Sequence, residues 1–340
     1  MHKTQINPRP MKAEIVSTDY FDQEAIRLPD YKVGRVSYGH GRSYIRLVDG
    51  AVETPFRLYT SLTTAINTCA PMNQGLLEWN VKHGLKEAGR LLKIAQVYGT
   101  GLHILIGEFL MVGSVNLDEL DEWVQNYLST QDFWEPECAD WAENLKYDMI
   151  AFAQFCADYN IKVMGIEYVL LSDRFGFGTP IDLVCKMDIP TAGFYGEVYK
   201  SGDRKGQPKE TKQPITKTVI INFKSGRHGF YPNNGIQAIA EKMLWEENFP
   251  DIPLEGAYNW SPKEWRDTPS YNLKDWMGEV GEDEVEHIMG LAKIRFGDKA
   301  MEKEYLSVGG VVYRGKVPEL NVSKIGVEEF CRKKFGELMV

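Results

Sequence analysis

Four side chains stand where a neutral residue would be cheaper. His103 lies in the apolar turn "GLHILIG", Glu167 interrupts "VMGIEYVLL", Asp182 interrupts "TPIDLVC", and Lys224 ends "TVIINFK". Taking an ionisable group out of water is costly unless it is paired or bound to a metal. An imidazole and two carboxylates are the nitrogen and oxygen donors of a Mg²⁺ or Mn²⁺ site. A lysine beside such a site can orient a water or stabilise charge on a scissile phosphate. Three of the four have a bland explanation when taken alone: a hydrogen-bonded core histidine, a salt-bridged strand glutamate, a turn aspartate. Their order along the chain carries the signal.

The elements that must hold these groups follow from periodicity. Residues 1–60 carry short alternating runs ("SYIRLV", "FRLYTS") broken by Gly and Asp, which predict a hairpin region. Ser61 is placed to cap a helix starting near Leu62. From Leu76 to Tyr98 the period is helical, with Leu77, Val81, Leu85, Leu92 and Ala95 on one predicted apolar face. A second helix is expected from about Gly101, carrying His103, with further helices over 118–128 and 138–159. After Asn160 the runs become β-rich: "KVMGIEYVLLS", "GTPIDLVCKM", "FYGEVY" and "TKTVIINF". An amphipathic helix is predicted over 234–247, then a strand at "EGAYNWS", C-terminal helices and a small hairpin at "YLSVGGVVYRG". Helices followed by a mixed sheet with a crossing helix predict an α/β core with a helical lobe. The expected parts are 1–60 (hairpins), 61–160 (helices with His103), 161–261 (sheet core with a basic insertion at 190–217) and 262–340 (helical extension).

Composition narrows the class. The chain has 340 residues, 43% of them hydrophobic, enough for one large core or two modest ones. It contains no uninterrupted apolar run of about 18 residues, so no membrane span is expected, and its N-terminus has no apolar signal core. Five cysteines lie far apart with no CxxC pair, which argues against zinc, an iron–sulfur cluster or a disulfide scaffold. A cytoplasmic setting is expected. Net charge is −9, yet 200–227 holds eight Lys/Arg against Asp203 and Glu210. Such a run is usually a solvated loop; phosphate contact is the functional alternative.

The order of the motifs "GTGLH", "GIEYVLL", "GTPIDLV", "VIINFKSG" and "NNGIQAIAEKMLW" resembles the PD-(D/E)xK nuclease superfamily, most closely its RecB-type exonuclease branch. The likeness covers roughly 58–261. It implies a restriction-endonuclease-like mixed β-sheet core flanked by helices and a Mg²⁺- or Mn²⁺-dependent exonuclease acting on DNA. Its metal ligands would be His103, Glu167, Asp182, the residue at 222 and the Phe223 carbonyl. Lys224 would act on the water, and Gln237 is the branch's helix glutamine. The resemblance also implies a bacterial or phage-infected cell. Because the chain has no GxxxxGK[ST] motif, any helicase or recombination partner would be a separate polypeptide.

The chain departs from the pattern in two ways: Asn222 stands where the family has Asp or Glu, and the span from Asp182 to Asn222 is long and holds the basic insertion. The place four residues after Gln237, where the branch often has Tyr, holds Glu241. An amide keeps an oxygen but removes a full charge, so weak metal binding is expected if position 222 is a required ligand. Asn222 reads as an engineered inactivation, as drift to a non-cleaving DNA-binding or scaffold protein, or as tolerable because Glu167 and His103 suffice. For the DNA contact, the expected cations are Lys82, Lys86, Arg90 and Lys93 on one helix, Arg204, Lys205, Lys209 and Lys212 in the insertion, and Arg227. Tyr231, Trp260 and Trp265 are candidates for stacking on unpaired bases.

Overall fold

The computed structural model describes residues 31–38, 41–47, 56–71, 74–190, 198–206, 214–264, 268–296, 300–301, 305–308 and 311–314. The alternating N-terminal runs form β1 (Lys32–Tyr38), β2 (Gly41–Leu47) and β3 (Phe56–Ser61). These are not a separate unit: β3 pairs in parallel with the main sheet, Thr60 with Phe177 and Ser61 with Gly178. Ser61 opens α1 (Leu62–Cys69) as expected, but its hydroxyl meets Thr63 Oγ1 at 2.9 Å instead of capping a backbone amide.

Glycine decides where the next helices break. The run predicted as one helix from Leu76 divides into α2 (Gln74–His83) and α3 (Leu85–Val112) at Gly84, whose φ of +76° suits a residue without a Cβ. The break expected near Gly101 does not occur. Gly101 lies inside α3, where a Cβ would come within 3.1 Å of the Tyr127 ring, so the glycine permits close packing. The apolar face predicted for this region is the wrong one: Leu77, Val81, Leu85, Leu92 and Ala95 all face solvent, and Ile94, Val97 and Tyr98 are buried instead. By length and composition α3 is the one described helix that could cross a membrane, and half of its most apolar stretch is buried in the core.

Two more helices, α4 (Leu120–Thr130) and α5 (Trp141–Asp158), lead into β4 (Lys162–Ser172), β5 (Phe177–Ile189) and β6 (Ile215–Phe223). Then α6 (Pro232–Asn248) crosses to β7 (Gly256–Pro262), followed by β8 (Tyr271–Asp275) and α7 (Glu282–Phe296). In the central sheet β5 is antiparallel to both β4 and β6, β7 is parallel to β6, and β8 is antiparallel to β7. The helical crossover is what a parallel β6–β7 pair demands. Short strands β9 (Ala300–Met301), β10 (Tyr305–Val308) and β11 (Val311–Arg314) finish the described chain; β10 and β11 form the predicted hairpin. Most of "FYGEVY" lies outside the described residues; the antiparallel partner of β6 is the end of β5.

Helices cover both faces of the sheet. One core joins α3, α4 and α5 to Val163, Ile166, Leu183, Ile221, Phe223 and Trp260. The other joins α1, α6 and α7 to Tyr168, Leu170, Ile181, Val184 and Ile220. Residues two apart on a strand ordinarily share a face. Here Ile166 and Tyr168 lie in opposite cores, and so do Ile181 and Leu183. Both strands therefore turn over at the residue between, Glu167 on β4 and Asp182 on β5.

Candidate metal centre

The site occupies a notch in the sheet. β4 holds one edge of β5 from Phe177 onward. On the opposite edge β3 pairs with Phe177 and Gly178, and β6 pairs from Leu183 onward. Residues 179–182 are left between these two partners. Asp182 fills the gap with its side chain: Oδ2 accepts the Phe223 amide N–H at 2.7 Å, replacing the ladder carbonyl that the end of β6 lacks. The register that pairs Ile166 with Leu183 and Tyr168 with Ile181 sets Glu167 opposite Asp182. Glu167 has a φ of +53°, a left-handed conformation in mid-strand that costs a non-glycine residue roughly 1–2 kcal/mol. Such strain persists where the surroundings over-determine it, and it is frequent at functional sites.

From α3, His103 reaches across to both acids. Its Nδ1 lies 3.4 Å from Glu167 Oε1 and 3.8 Å from Asp182 Oδ1. One donor atom from each of the three lies within 4.8 Å of the others. The His103 ring is held edge-on by Phe223 at 5.6 Å between centroids. The donor set, one nitrogen with two carboxylates, fits a divalent cation of the Mg²⁺ or Mn²⁺ type. Burial pulls the His103 pKa down, but the Asp182 and Glu167 carboxylates outweigh it and hold the value above the ordinary one. Burial raises Asp182, against the pull of His103.

Lys224 follows β6, anchored by its amide N–H to the Trp260 carbonyl at 2.8 Å. Its ammonium donates to Gln237 Oε1 on α6 at 2.8 Å. Burial lowers the Lys224 pKa, and the Glu241 and Asp182 carboxylates counter that. The fold thus brings Gln237 against Lys224, and Gln237 leads on to a second α6 residue, Glu241. Gln237 Nε2 donates to Glu241 Oε1 at 2.7 Å, one helical turn further along α6. Glu241 is fully buried.

Asn222 does not turn toward the three-ligand group. Its Nδ2 donates to both Glu241 oxygens, at 2.9 and 3.1 Å. Its Oδ1 and main-chain oxygen both face Asn259 Nδ2, at 3.4 and 3.2 Å. The expectation that Asn222 serves as a ligand is therefore corrected: its amide is committed elsewhere. Phe223 meets the site through its N–H and its ring. The missed residues are Glu241 and Asn259. The only sequence signal for Glu241 was its place four residues after Gln237, the spacing that puts two side chains on one helix face.

Burial, followed by the charge on Asp182, pushes Glu241 up to about 8, while Lys224, Gln237 and Asn222 pull it back. A carboxyl whose folded value lies above its unfolded one adds stability at low pH, and that contribution is lost as pH rises through the folded value. With metal chelated, thermal stability should therefore fall between the ordinary Glu value of 4.5 and about 8. Glu241→Gln should flatten this limb in thermal scans taken across that range.

The proposed cationic groove is only partly available. Arg90 is held by Glu87, Glu135 and Glu137 at 2.7–2.9 Å. Arg227 donates to Asp148 at 3.0 Å and to Tyr98 at 3.1 Å. Arg90 is thus compensated in a surface cluster of acids, and Arg227 in a pair with the buried Asp148. Lys82, Lys86, Lys93, Arg204 and Lys205 are exposed, whereas Lys209 and Lys212 lie outside the described residues. Of the stacking candidates, Tyr231 is exposed, Trp260 is fully buried against Phe152 and Phe223, and Trp265 lies outside the described residues.

Fold and site together define an α/β protein with a mixed sheet and a candidate divalent-cation centre where two of its strands turn over. No protein-family model matches the chain, and no curated protein matches it.

Proposed function

We propose that this chain is a divalent-metal-dependent nuclease of the restriction-endonuclease-like class, acting on DNA phosphodiesters. The observation that carries the reading is the convergence of His103, Glu167 and Asp182 within 4.8 Å, on the elements expected from the motif order. Supporting it are Lys224 at the end of the next strand and the order of the core: helix, three antiparallel strands, crossing helix, parallel strand. The exposed lysines on α2 and α3 and the turn at Arg204 and Lys205 offer phosphate contacts.

In this reading His103, Glu167 and Asp182 hold the ion. When bound, a divalent ion lowers the pKa of its water and neutralises charge on a phosphate oxygen. The Phe223 amide fixes one Asp182 oxygen and leaves the other on the His103 side. Lys224, steered by Gln237, supplies a cation near Asp182 that can orient the attacking water or meet the phosphate. The Phe223 ring and the helix layers keep bulk water from the inner side of the site.

Linear double-stranded, linear single-stranded and circular DNA, each with Mg²⁺ or Mn²⁺, form the test. Cleavage is expected, with linear DNA preferred, and Lys224→Ala should reduce it about 10²-fold or more. Cleavage that survives both chelation and Lys224→Ala would sink the proposal. DNA binding without cleavage would favour a scaffold that keeps the fold.

A further inference from the structure

Position 222 is where the motif lacks its acid, and the structure puts an acid against it. We propose that the carboxylate has changed places: Glu241 on α6 supplies the negative charge that position 222 lacks, and Asn222 is its matched donor. Glu241 then acts as a positioning residue for Lys224, through Gln237. This inference rests on the reading of the site as a metal-dependent nuclease centre.

The hydrogen bonds fix the direction of every amide between two donor-only groups. At one end the Trp276 indole N–H donates to Asn259 Oδ1 at 2.7 Å. Asn259 must therefore present its NH₂ group to Asn222, which leaves the Asn222 NH₂ facing Glu241. At the other end the Lys224 ammonium donates to Gln237 Oε1, so the Gln237 NH₂ also faces Glu241. Both chains end on one carboxyl group that accepts from each side. A lysine and an indole nitrogen have no acceptor capacity, so neither chain can be reversed.

Burial makes the arrangement costly to hold by accident. Glu241 and Asn259 are fully buried, and Asn222 is 3% exposed. A buried acid is kept where donors satisfy it, and Asn222 and Gln237 do so here. Aspartate at 222 would set a second carboxylate where Asn222 now donates at 2.9 Å, and like charges that close cannot both ionise at ordinary cost. Asn222 is therefore the residue that a glutamate at 241 requires.

An exchange of charge tests this. Asn222→Asp, Glu241→Gln and the double variant would be compared with the unaltered chain at about pH 8.5, above the range in which Glu241 titrates. Three readouts are taken: thermal midpoint, Mn²⁺ affinity by calorimetry, and DNA cleavage. We expect Asn222→Asp alone to lower the midpoint by several degrees and not to raise cleavage. Glu241→Gln should weaken Mn²⁺ binding and cleavage about tenfold or more while leaving the fold intact, the size typical of residues that orient a metal site. The double variant should recover both toward the starting values. Higher cleavage from Asn222→Asp alone would overturn the inference, as would an unaffected Glu241→Gln or a double variant no better than the worse single one. If the unaltered chain neither binds Mn²⁺ nor cuts DNA, the functional reading falls, and the thermal midpoints alone then decide whether the pair is exchanged.

Discussion

Asp182→Asn should abolish metal-dependent cleavage, with a loss of about 10³-fold or more, while the protein stays folded. Asp182 has two separate tasks. One oxygen closes the sheet at the Phe223 amide, and the other faces His103 at 3.8 Å. Asparagine can still accept from Phe223 through its carbonyl oxygen, so the sheet contact survives. What is lost is the charge that the site offers to a cation, and metal-based catalysis depends on it. Because burial already raises the Asp182 pKa, the charged form is costly without a metal, and the variant should unfold no more readily than the unaltered chain in chelator. The check is paired: Mn²⁺ titration by calorimetry and cleavage of linear DNA, with circular dichroism to show the fold. A variant that binds Mn²⁺ as tightly as the unaltered chain would remove Asp182 from the centre.

Asp148→Ala should be the most damaging polar substitution for stability. Asp148 on α5 is fully buried and binds the Arg227 guanidinium through both oxygens at 3.0 Å and the Tyr98 hydroxyl at 2.6 Å. Removing one partner of a buried pair leaves the other uncompensated, which costs about 3–5 kcal/mol at full burial and less here, since Arg227 is 26% exposed. We expect a loss of roughly 2–4 kcal/mol and a lower thermal midpoint by several degrees. The effect should reach the site as well. Arg227 lies three residues after Lys224, and the intervening Ser225 packs against Gly99 of α3, where a Cβ would sit 3.1 Å from its hydroxyl. Releasing Arg227 frees the turn that positions Lys224, so residual cleavage at a permissive temperature should also drop. Thermal unfolding and single-temperature rates separate the two effects. Unchanged stability would mean that Arg227 finds water without penalty.

Much of the site was legible because its parts are local. A histidine in an apolar helical turn, an acid inside a β-rich run and a lysine at the end of one are anomalies of burial that neighbouring residues reveal. The hydrophobic period also marked most helices and strands, including the crossing helix and the terminal hairpin. It failed on α2 and the start of α3, where Leu77, Val81 and Leu85 follow a helical period yet face solvent. Periodicity reports a stripe but not whether anything covers it. The cations show the same limit: the sequence does not reveal that Arg90 is met at the surface by Glu135 and Glu137, or Arg227 by the buried Asp148, because these acids come from distant parts of the chain.

Residue types and their order by themselves determined an α/β chain and singled out His103, Glu167, Asp182 and Lys224 as the candidates for its chemistry. Tertiary structure alone decided what Asn222 means. Nineteen residues and a strand-to-helix turn separate Asn222 from Glu241, and only the packing of α6 on the sheet brings amide and carboxylate to 2.9 Å. Within its motif the asparagine was a missing charge. In the folded protein it is a donor to a carboxyl group placed on the next helix, because a buried acid needs donors and an acid in place of the Asn222 amide would offer it none.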